Sequence, residues 1–154
     1  MKSEEKYVFV KQLGELPDQL EKIVNGLSDK QLDTPYGEGK WTVRQVVHHL
    51  ADSHINGFTR TKWALTEDNP AVKPYDQDDW AKLSDSEMSI DSSLLILKGL
   101  HQRWANLFEN LTEEQWTRPI YHPEDSDYNN VEQILVAYAG HGEKHLGHIR
   151  LVIK

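Results

Sequence analysis

The sequence contains no cysteine, which excludes disulfide bonds, thiolate zinc sites and a cysteine nucleophile. A chain without thiols fits a reducing compartment, so we expect the protein to be cytoplasmic. Residues 1–17 carry charges throughout and lack the apolar segment of a signal peptide. No run approaches the roughly 18 apolar residues of a membrane span, and we therefore expect no membrane partner.

Basic residues are also scarce. The 17 Lys and Arg residues against 25 Asp and Glu residues give a formal net charge of −8. Because phosphate binding needs a concentrated cationic surface, and no basic stripe occurs here, we do not expect a nucleic-acid partner. With 38% hydrophobic and 27% charged residues, the composition is typical of a folded domain. We predict one domain spanning residues 1–154.

Four segments show the apolar periodicity and capping of long helices. Pro17 predicts a helix that begins near this residue, because proline is favoured in the first turn. Thr42 opens a capping box with the glutamine three residues later and predicts a helix to about Thr66. A third helix is predicted over residues 91–110, and a fourth from the N-cap Asn130 almost to the last residue. These elements predict an all-α fold, a four-helix bundle.

The connections between these helices predict smaller elements. Capping boxes at Ser28 and Thr112 each indicate a short helical turn. The proline-containing connection 67–85 is predicted to be irregular, with a short turn near Trp80. Residues 118–129 form a polar loop that is compatible with a small hairpin.

Histidine is the residue type that stands out, with eight copies in 154 residues. His141 and His145 are four residues apart in the fourth helix and therefore lie one turn apart on the same face. Two imidazoles at this spacing can both reach one metal ion. The spacing alone is weak evidence, since such pairs also arise by chance. A metal would however satisfy the polar nitrogens of histidines that face a bundle core.

The second helix offers three more histidines, at positions 48, 49 and 54. On a helical wheel His54 lies nearest the middle of the apolar arc. His49 lies toward the opposite side, near Gln45 and Asp52. Periodicity therefore favours His54 as a third inward-facing histidine but does not decide which of these residues joins the pair.

Two stretches resemble a known family: WTVRQVVHHLADSH (residues 41–54) and HGEKHLGHI (residues 141–149). They are similar to the YfiT branch of the DinB superfamily, a branch described as metal-dependent hydrolases, and the similarity extends over most of the chain. The family's fold is a four-helix bundle. The resemblance implies three histidine ligands: His49, which precedes Leu-Ala-Asp, and the pair His141 and His145. It makes the other histidines of these stretches neighbours of the site or packing residues.

The resemblance implies a metal-dependent hydrolase that carries one divalent metal per chain and acts on a small-molecule substrate. Three imidazoles leave the ion an open position for water or substrate, as catalytic sites require. Zinc is the default metal, and nickel, cobalt and iron also accept imidazole. The candidates for a general base are sequence neighbours of the ligands: Asp52, His48, Glu143 and His148.

Two other functions stay open. Other branches of the superfamily resemble enzymes that use thiols such as bacillithiol, so one alternative is a thiol S-transferase acting on electrophiles. In that case Arg44, Arg60 and Arg103 are candidates to meet an anionic thiol, although surface charge is the commoner role of arginine. The other alternative is a metal-binding module without turnover. The resemblance also allows a homodimer.

Several rings are candidates for a pocket wall or rim, although core packing is the commoner role of the tryptophans: Trp41, Trp63, Trp104, Tyr75, Trp80 and His122. His101 lies on the apolar stripe of the third helix. It is predicted to be a core histidine that makes a hydrogen bond.

Overall fold

The computed structural model describes residues 1–124 and 127–153. Four long helices account for most of them: α1 (Ser3–Val24), α3 (Val43–Thr66), α5 (Asp91–Glu109) and α7 (Val131–Val152). Three short helices and a 3₁₀ turn lie in the connections: α2 (Asp29–Leu32), α4 (Gln77–Ala81), α6 (Glu113–Trp116) and the turn Ser84–Glu87. The two described ranges contain isolated β-bridges but no β-strand. None of their helices is both long enough and apolar enough to cross a lipid bilayer.

The four long helices pack as a bundle in the cyclic order α1, α5, α3, α7. Helix α1 packs against α5 and α7, and α3 packs against the same two helices. Helices α1 and α3, which follow one another along the sequence, are therefore diagonally opposite. The predicted all-α four-helix bundle is confirmed.

The core consists of two apolar clusters with histidines between them. One cluster contains Trp104 and Tyr138, and the other contains Leu97 and Leu146. Along α5 and α7, His101, His141 and His145 lie between members of the first cluster and members of the second. The bundle thus holds a polar layer of imidazoles inside an otherwise apolar core.

Helix α1 differs from the prediction. It begins at Ser3, so Pro17 lies inside the helix and not in its first turn. A proline has no N–H, and the carbonyl of Leu13 therefore receives no helical hydrogen bond from the residue four positions later. The Nδ1 atom of His101 lies 2.7 Å from this carbonyl oxygen and donates the missing hydrogen bond. A side chain of α5 thus makes an internal proline tolerable in α1.

The other helix signals are confirmed. The threonine or serine hydroxyl of each predicted capping box, at Ser28, Thr42 and Thr112, accepts the N–H three residues on. The side chain of Asn130 caps α7 in the same way. The turn predicted near Trp80 is helix α4.

The hairpin predicted over residues 118–129 is reduced to a single antiparallel bridge between Pro119 and Asn130. The N–H of Ile120 donates to the carbonyl of Asn129 at 3.0 Å. Residues 125 and 126, where the tip of a hairpin would fall, lie outside the described residues.

Candidate metal centre

Helices α3 and α7 bring three histidines together. The Nε2 atom of His141 lies 3.2 Å from Nε2 of His49 and 3.1 Å from Nε2 of His145. One ring nitrogen from each residue lies within 4.8 Å of the other two. Around a tetrahedral zinc ion with bonds of about 2.05 Å, ligand nitrogens would be roughly 3.3 Å apart. The three-histidine cluster (His49, His141 and His145) therefore has the dimensions of a metal site.

All three imidazoles are neutral at neutral pH. Burial is the largest cause, and it lowers the pKa of His49, His141 and His145 to about 3 in each case. Repulsion from neighbouring histidines and from the Lys144 ammonium acts in the same direction. A neutral imidazole keeps a lone pair on one nitrogen, which is the form that binds a metal.

Two further histidines lie behind His141. Nδ1 of His141 is 3.1 Å from Nε2 of His54, and Nδ1 of His54 is 2.7 Å from Nε2 of His101. Nδ1 of His101 in turn contacts the Leu13 carbonyl. Both His54 and His101 are completely buried. We call His141, His54 and His101 the histidine relay.

The carbonyl at the end of the histidine relay determines where each proton lies. A carbonyl oxygen only accepts, so Nδ1 of His101 donates and its Nε2 accepts. Burial lowers the pKa of His101 to about 4 and that of His54 well below its ordinary value, so each ring carries one proton. His54 therefore donates from Nδ1 to His101 and accepts at Nε2 from Nδ1 of His141. The lone pair of His141 is left on Nε2, the atom that faces His49 and His145. The residues present thus supply the donor that a metal ion needs.

The other two cluster histidines are supported by aromatic neighbours. Nδ1 of His145 lies 3.2 Å from Nδ1 of His148, whose ring stacks on Tyr36 with a centroid distance of 4.1 Å. The ring of Trp41 packs on His49 at 4.5 Å. Trp41, one of the predicted pocket residues, therefore lies directly against the cluster.

His48 points away from the cluster despite its position beside His49. Its Nδ1 lies 2.6 Å from the hydroxyl of Ser93, and its Nε2 lies 2.9 Å from the carbonyl oxygen of Met88. Both ring nitrogens are therefore used in packing α3 against α5 and the segment before it.

The three remaining candidates for a general base are in different environments. Glu143 forms a surface ion pair with Arg150 at 3.5 Å. Asp52 is half-buried, and burial followed by repulsion from Asp85 raises its pKa to about 6. His148 contacts the ring of a cluster histidine, as described above. These contacts favour His148 over Glu143 as a residue that acts near a bound ion.

A cavity of about 370 Å³ opens beside His141. Two of the predicted rim residues, Tyr75 and His122, line it. Trp80 packs on the ring of Tyr75 at 4.5 Å and lines a neighbouring cavity. The space next to the cluster is large enough for a small molecule.

The other two predicted pocket tryptophans do not line this cavity. Trp104 is completely buried, and its Nε1 donates to Thr61 at 3.1 Å. Trp63 is 39% exposed and lines the same neighbouring cavity as Trp80. Trp104 is therefore a core residue, in the role that is commoner for tryptophan.

The family described as the DinB superfamily matches residues 12–149 of the chain. The chain belongs to the DinB superfamily. It is 46% identical over 147 residues to a Bacillus subtilis (strain 168) protein named "Putative metal-dependent hydrolase YfiT", a match that covers 95% of this chain and 83% of the relative. A Bacillus pumilus (strain SAFR-032) protein with the name "Putative metal-dependent hydrolase" is 45% identical over 146 residues, with the same coverage.

A solved structure has the same fold as this chain. The structure of YfiT from Bacillus subtilis matches with a TM-score of 0.94 and 44% identity, over 99% of this chain and 87% of that one. Its description is "a probable metal-dependent hydrolase with an unusual four-helix bundle topology". The predicted resemblance to the YfiT branch is confirmed.

Proposed function

We propose that this DinB-superfamily protein is a metal-dependent hydrolase in which His49, His141 and His145 bind one divalent ion per chain. The observation that carries the proposal is the convergence of three Nε2 atoms, with neighbouring distances of 3.1 and 3.2 Å. A site with three protein ligands keeps a coordination position open, as catalytic metal sites do and closed structural sites do not. The names of the Bacillus relatives support the same function.

The site indicates what the ion and the protein would each contribute to the reaction. A divalent ion held by His49, His141 and His145 would polarise a substrate carbonyl and would lower the pKa of water to about 7. The chain holds the ion with three neutral imidazoles, and the histidine relay orients one of them. The cavity of about 370 Å³ beside His141 admits a small-molecule substrate. Zinc is the metal that we propose, and nickel is the alternative that an all-imidazole site also accepts.

The metal is tested first. The protein is purified without a histidine tag, loaded with zinc or nickel, and its metal content is measured by mass spectrometry. About one ion per chain is expected in the wild type, and most of it should be lost in His49→Ala, His141→Ala and His145→Ala. His48→Ala is the matched control and should retain the ion, because its ring nitrogens face Ser93 and Met88. A wild type that stays empty, or a His49→Ala variant that keeps the ion, contradicts the proposal.

Turnover is tested next with ester and amide substrates, with the metal bound and no thiol added. Hydrolysis that needs the metal and not a thiol is the expected outcome. Conjugation of an electrophile only in the presence of a low-molecular-weight thiol would identify an S-transferase instead. Metal binding with neither reaction would identify a metal-binding module without turnover.

A further inference from the structure

Arg60 differs from the two other arginines that the sequence suggested for anion binding. Arg44 pairs with Asp29 at 3.1 Å and with Asp33 at 2.8 Å. Arg103 is exposed at the surface of α5. Arg60 is only 5% exposed, although it carries a permanent charge. The environment of this one arginine therefore calls for an explanation.

The hydrogen-bond acceptors around Arg60 are all neutral. Its Nη1 donates to the hydroxyl of Tyr128 at 2.8 Å and lies 3.4 Å from the hydroxyl of Tyr138, and its Nη2 donates to the carbonyl of Lys73 at 3.2 Å. Within residues 1–124 and 127–153, no carboxylate forms an ion pair with Arg60. Buried charges are normally paired, because desolvation is costly. Three contacts also leave two of the five guanidinium N–H donors for a ligand.

The buried charge faces the space beside the three-histidine cluster. Arg60 and His141 line the same cavity of about 370 Å³. Tyr138 joins the two, because its hydroxyl contacts Arg60 and its ring centroid lies 6.3 Å from that of His141. The guanidinium also lies 6.0 Å from the ring centroid of Tyr75. Among the described lining residues, Arg60 is the only lysine or arginine.

We propose that Arg60 binds a carboxylate group of the substrate, while the bond to be hydrolysed lies at the three-histidine cluster. A guanidinium can hold a carboxylate through two parallel N–H···O bonds, which gives orientation as well as attraction. One positive charge balances one carboxylate. The assignment of the reacting end rests on the proposed hydrolase function. Carboxylate binding at Arg60 can be measured without turnover.

The acidic residues at the rim of the cavity do not take the place of the substrate carboxylate as the partner of Arg60. Glu124 and Asp127 also line the cavity, but both are exposed at its surface. Water and salt screen exposed charges, whereas a buried charge is screened much less. Among the side chains of residues 1–124 and 127–153 that line the cavity, Arg60 therefore carries the permanent positive charge that attracts an anion.

The test compares butyrate with butyramide, which has nearly the same shape and no charge. Both are titrated by NMR into the metal-loaded wild type and the Arg60→Met and Arg103→Met variants. The wild type and Arg103→Met should bind butyrate roughly tenfold more tightly than butyramide or better. In Arg60→Met the two affinities should become similar. If Arg60→Met keeps the preference for butyrate, the anion binds elsewhere, for example at the metal, and the proposal is overturned.

A second measurement uses the wild type and does not depend on the folding of Arg60→Met. The Nε–Hε NMR signal of Arg60 is assigned by its disappearance in Arg60→Lys. Saturation with butyrate should shift this signal and leave that of Arg103 in place, and an unshifted Arg60 signal overturns the proposal. Since neither measurement needs hydrolysis, a protein that binds butyrate at Arg60 but hydrolyses nothing would contradict only the proposed function.

Discussion

The proton on each imidazole of the histidine relay determines which nitrogen can bind a metal. With the Leu13 carbonyl as the final acceptor, the proton of His141 lies on Nδ1 and its lone pair on Nε2. Without this acceptor, His54 could donate from Nε2 to His141, and the proton of His141 would move to the nitrogen that faces the cluster. His54 and His101 are therefore expected to act as positioning residues for the proposed ligand His141.

Replacement of His101 by Phe tests this role. The substitution removes the acceptor of the His54 Nδ1 proton, and we expect the zinc affinity to fall about 10–100-fold, the usual effect of losing an outer partner of a ligand. Affinity is measured by competition with a coloured chelator. His48→Phe is the control, because it also replaces a buried histidine but leaves the histidine relay intact. An equal loss of affinity in both variants would mean that the effect is only structural.

The Asp52 carboxyl predicts a pH-dependent change in stability. Its pKa in the folded protein is raised to about 6, so the folded state disfavours the charged form. Asp52→Asn should therefore stabilise the protein above pH 6, and most of the gain should be lost as the pH falls through 6 to 4, because the folded-state carboxyl is then protonated and the unfolded one becomes increasingly so. The shift corresponds to about 3 kcal/mol, which solvent screening of a half-buried group reduces to about 1 kcal/mol. Urea unfolding at pH 4 and pH 7.5 measures the difference, and an equal gain at both pH values would contradict the prediction.

At the scale of single residues, the sequence predicted part of the candidate site. The spacing of His141 and His145 placed them on one face, and the structure brings them together. The helical wheel favoured His54 over His49 because it detects burial, and His54 is indeed the more buried of the two, at 0% against 4% exposed. The converging nitrogen belongs to His49, which the family resemblance had indicated. No local pattern could show that the His101 ring meets Leu13, because that contact joins two helices distant in sequence.

Helices α3 and α7 approach closely where α3 has a glycine. A Cβ atom on Gly57 would lie 2.5 Å from Cζ of Tyr138 and 2.7 Å from Cη2 of Trp104. These are parts of large buried rings, which have little room to move. The absence of a side chain at Gly57 therefore lets Tyr138 reach Arg60.

Gly57→Ala should destabilise the protein by about 1–3 kcal/mol, the usual cost of overpacking a core. Gly99→Ala is the matched control, because beyond its adjacent residues and the backbone of its own helix α5 no atom lies within 4 Å of the added Cβ. That variant should gain about 0.5–1 kcal/mol, since alanine loses less backbone entropy in a helix. Free energies of unfolding from urea titrations measure both effects. Similar values for the two variants would show that the rings at Gly57 can move aside.

Helix α1 shows that local sequence signals are not always sufficient to locate the start of a helix. Four helix starts, at Ser28, Thr42, Thr112 and Asn130, were predicted correctly because the signal, a side chain that caps its own helix, is local. The start of α1 was wrong because a proline in the first turn and a proline in the interior look alike in sequence. What distinguishes them is the hydrogen bond from His101 to the freed carbonyl, and that bond exists only in the folded bundle.

The arrangement of the four long helices around the bundle is a property of the whole molecule. Helix periodicity predicted four helices and a bundle, both of which are confirmed. It did not predict that α1 and α3 are diagonal, because the connection 25–42 is long enough to reach either an adjacent or an opposite position. The homodimer and the cytoplasmic location stay predictions.

A metal held by α3 and α7 should stabilise the whole bundle. An ion that binds only the folded state, at a free concentration 100 times its dissociation constant, adds about 2.7 kcal/mol. We therefore expect excess zinc to raise the melting temperature of the metal-free wild type and EDTA to reverse the change. His49→Ala should show neither response. A zinc-induced shift that survives in His49→Ala would locate the stabilising ion elsewhere.

The position of Trp41 has a spectroscopic consequence. Its indole ring lies 4.5 Å from the ring of His49 and 6.3 Å from that of His145. Indole fluorescence is quenched by paramagnetic ions at such short range, whereas zinc, with a filled d shell, lacks this effect. Emission from Trp41 can therefore distinguish nickel or cobalt from zinc at the cluster, and Trp41→Phe supplies the background of the other four tryptophans. The fold thus places a natural optical probe beside the candidate metal centre.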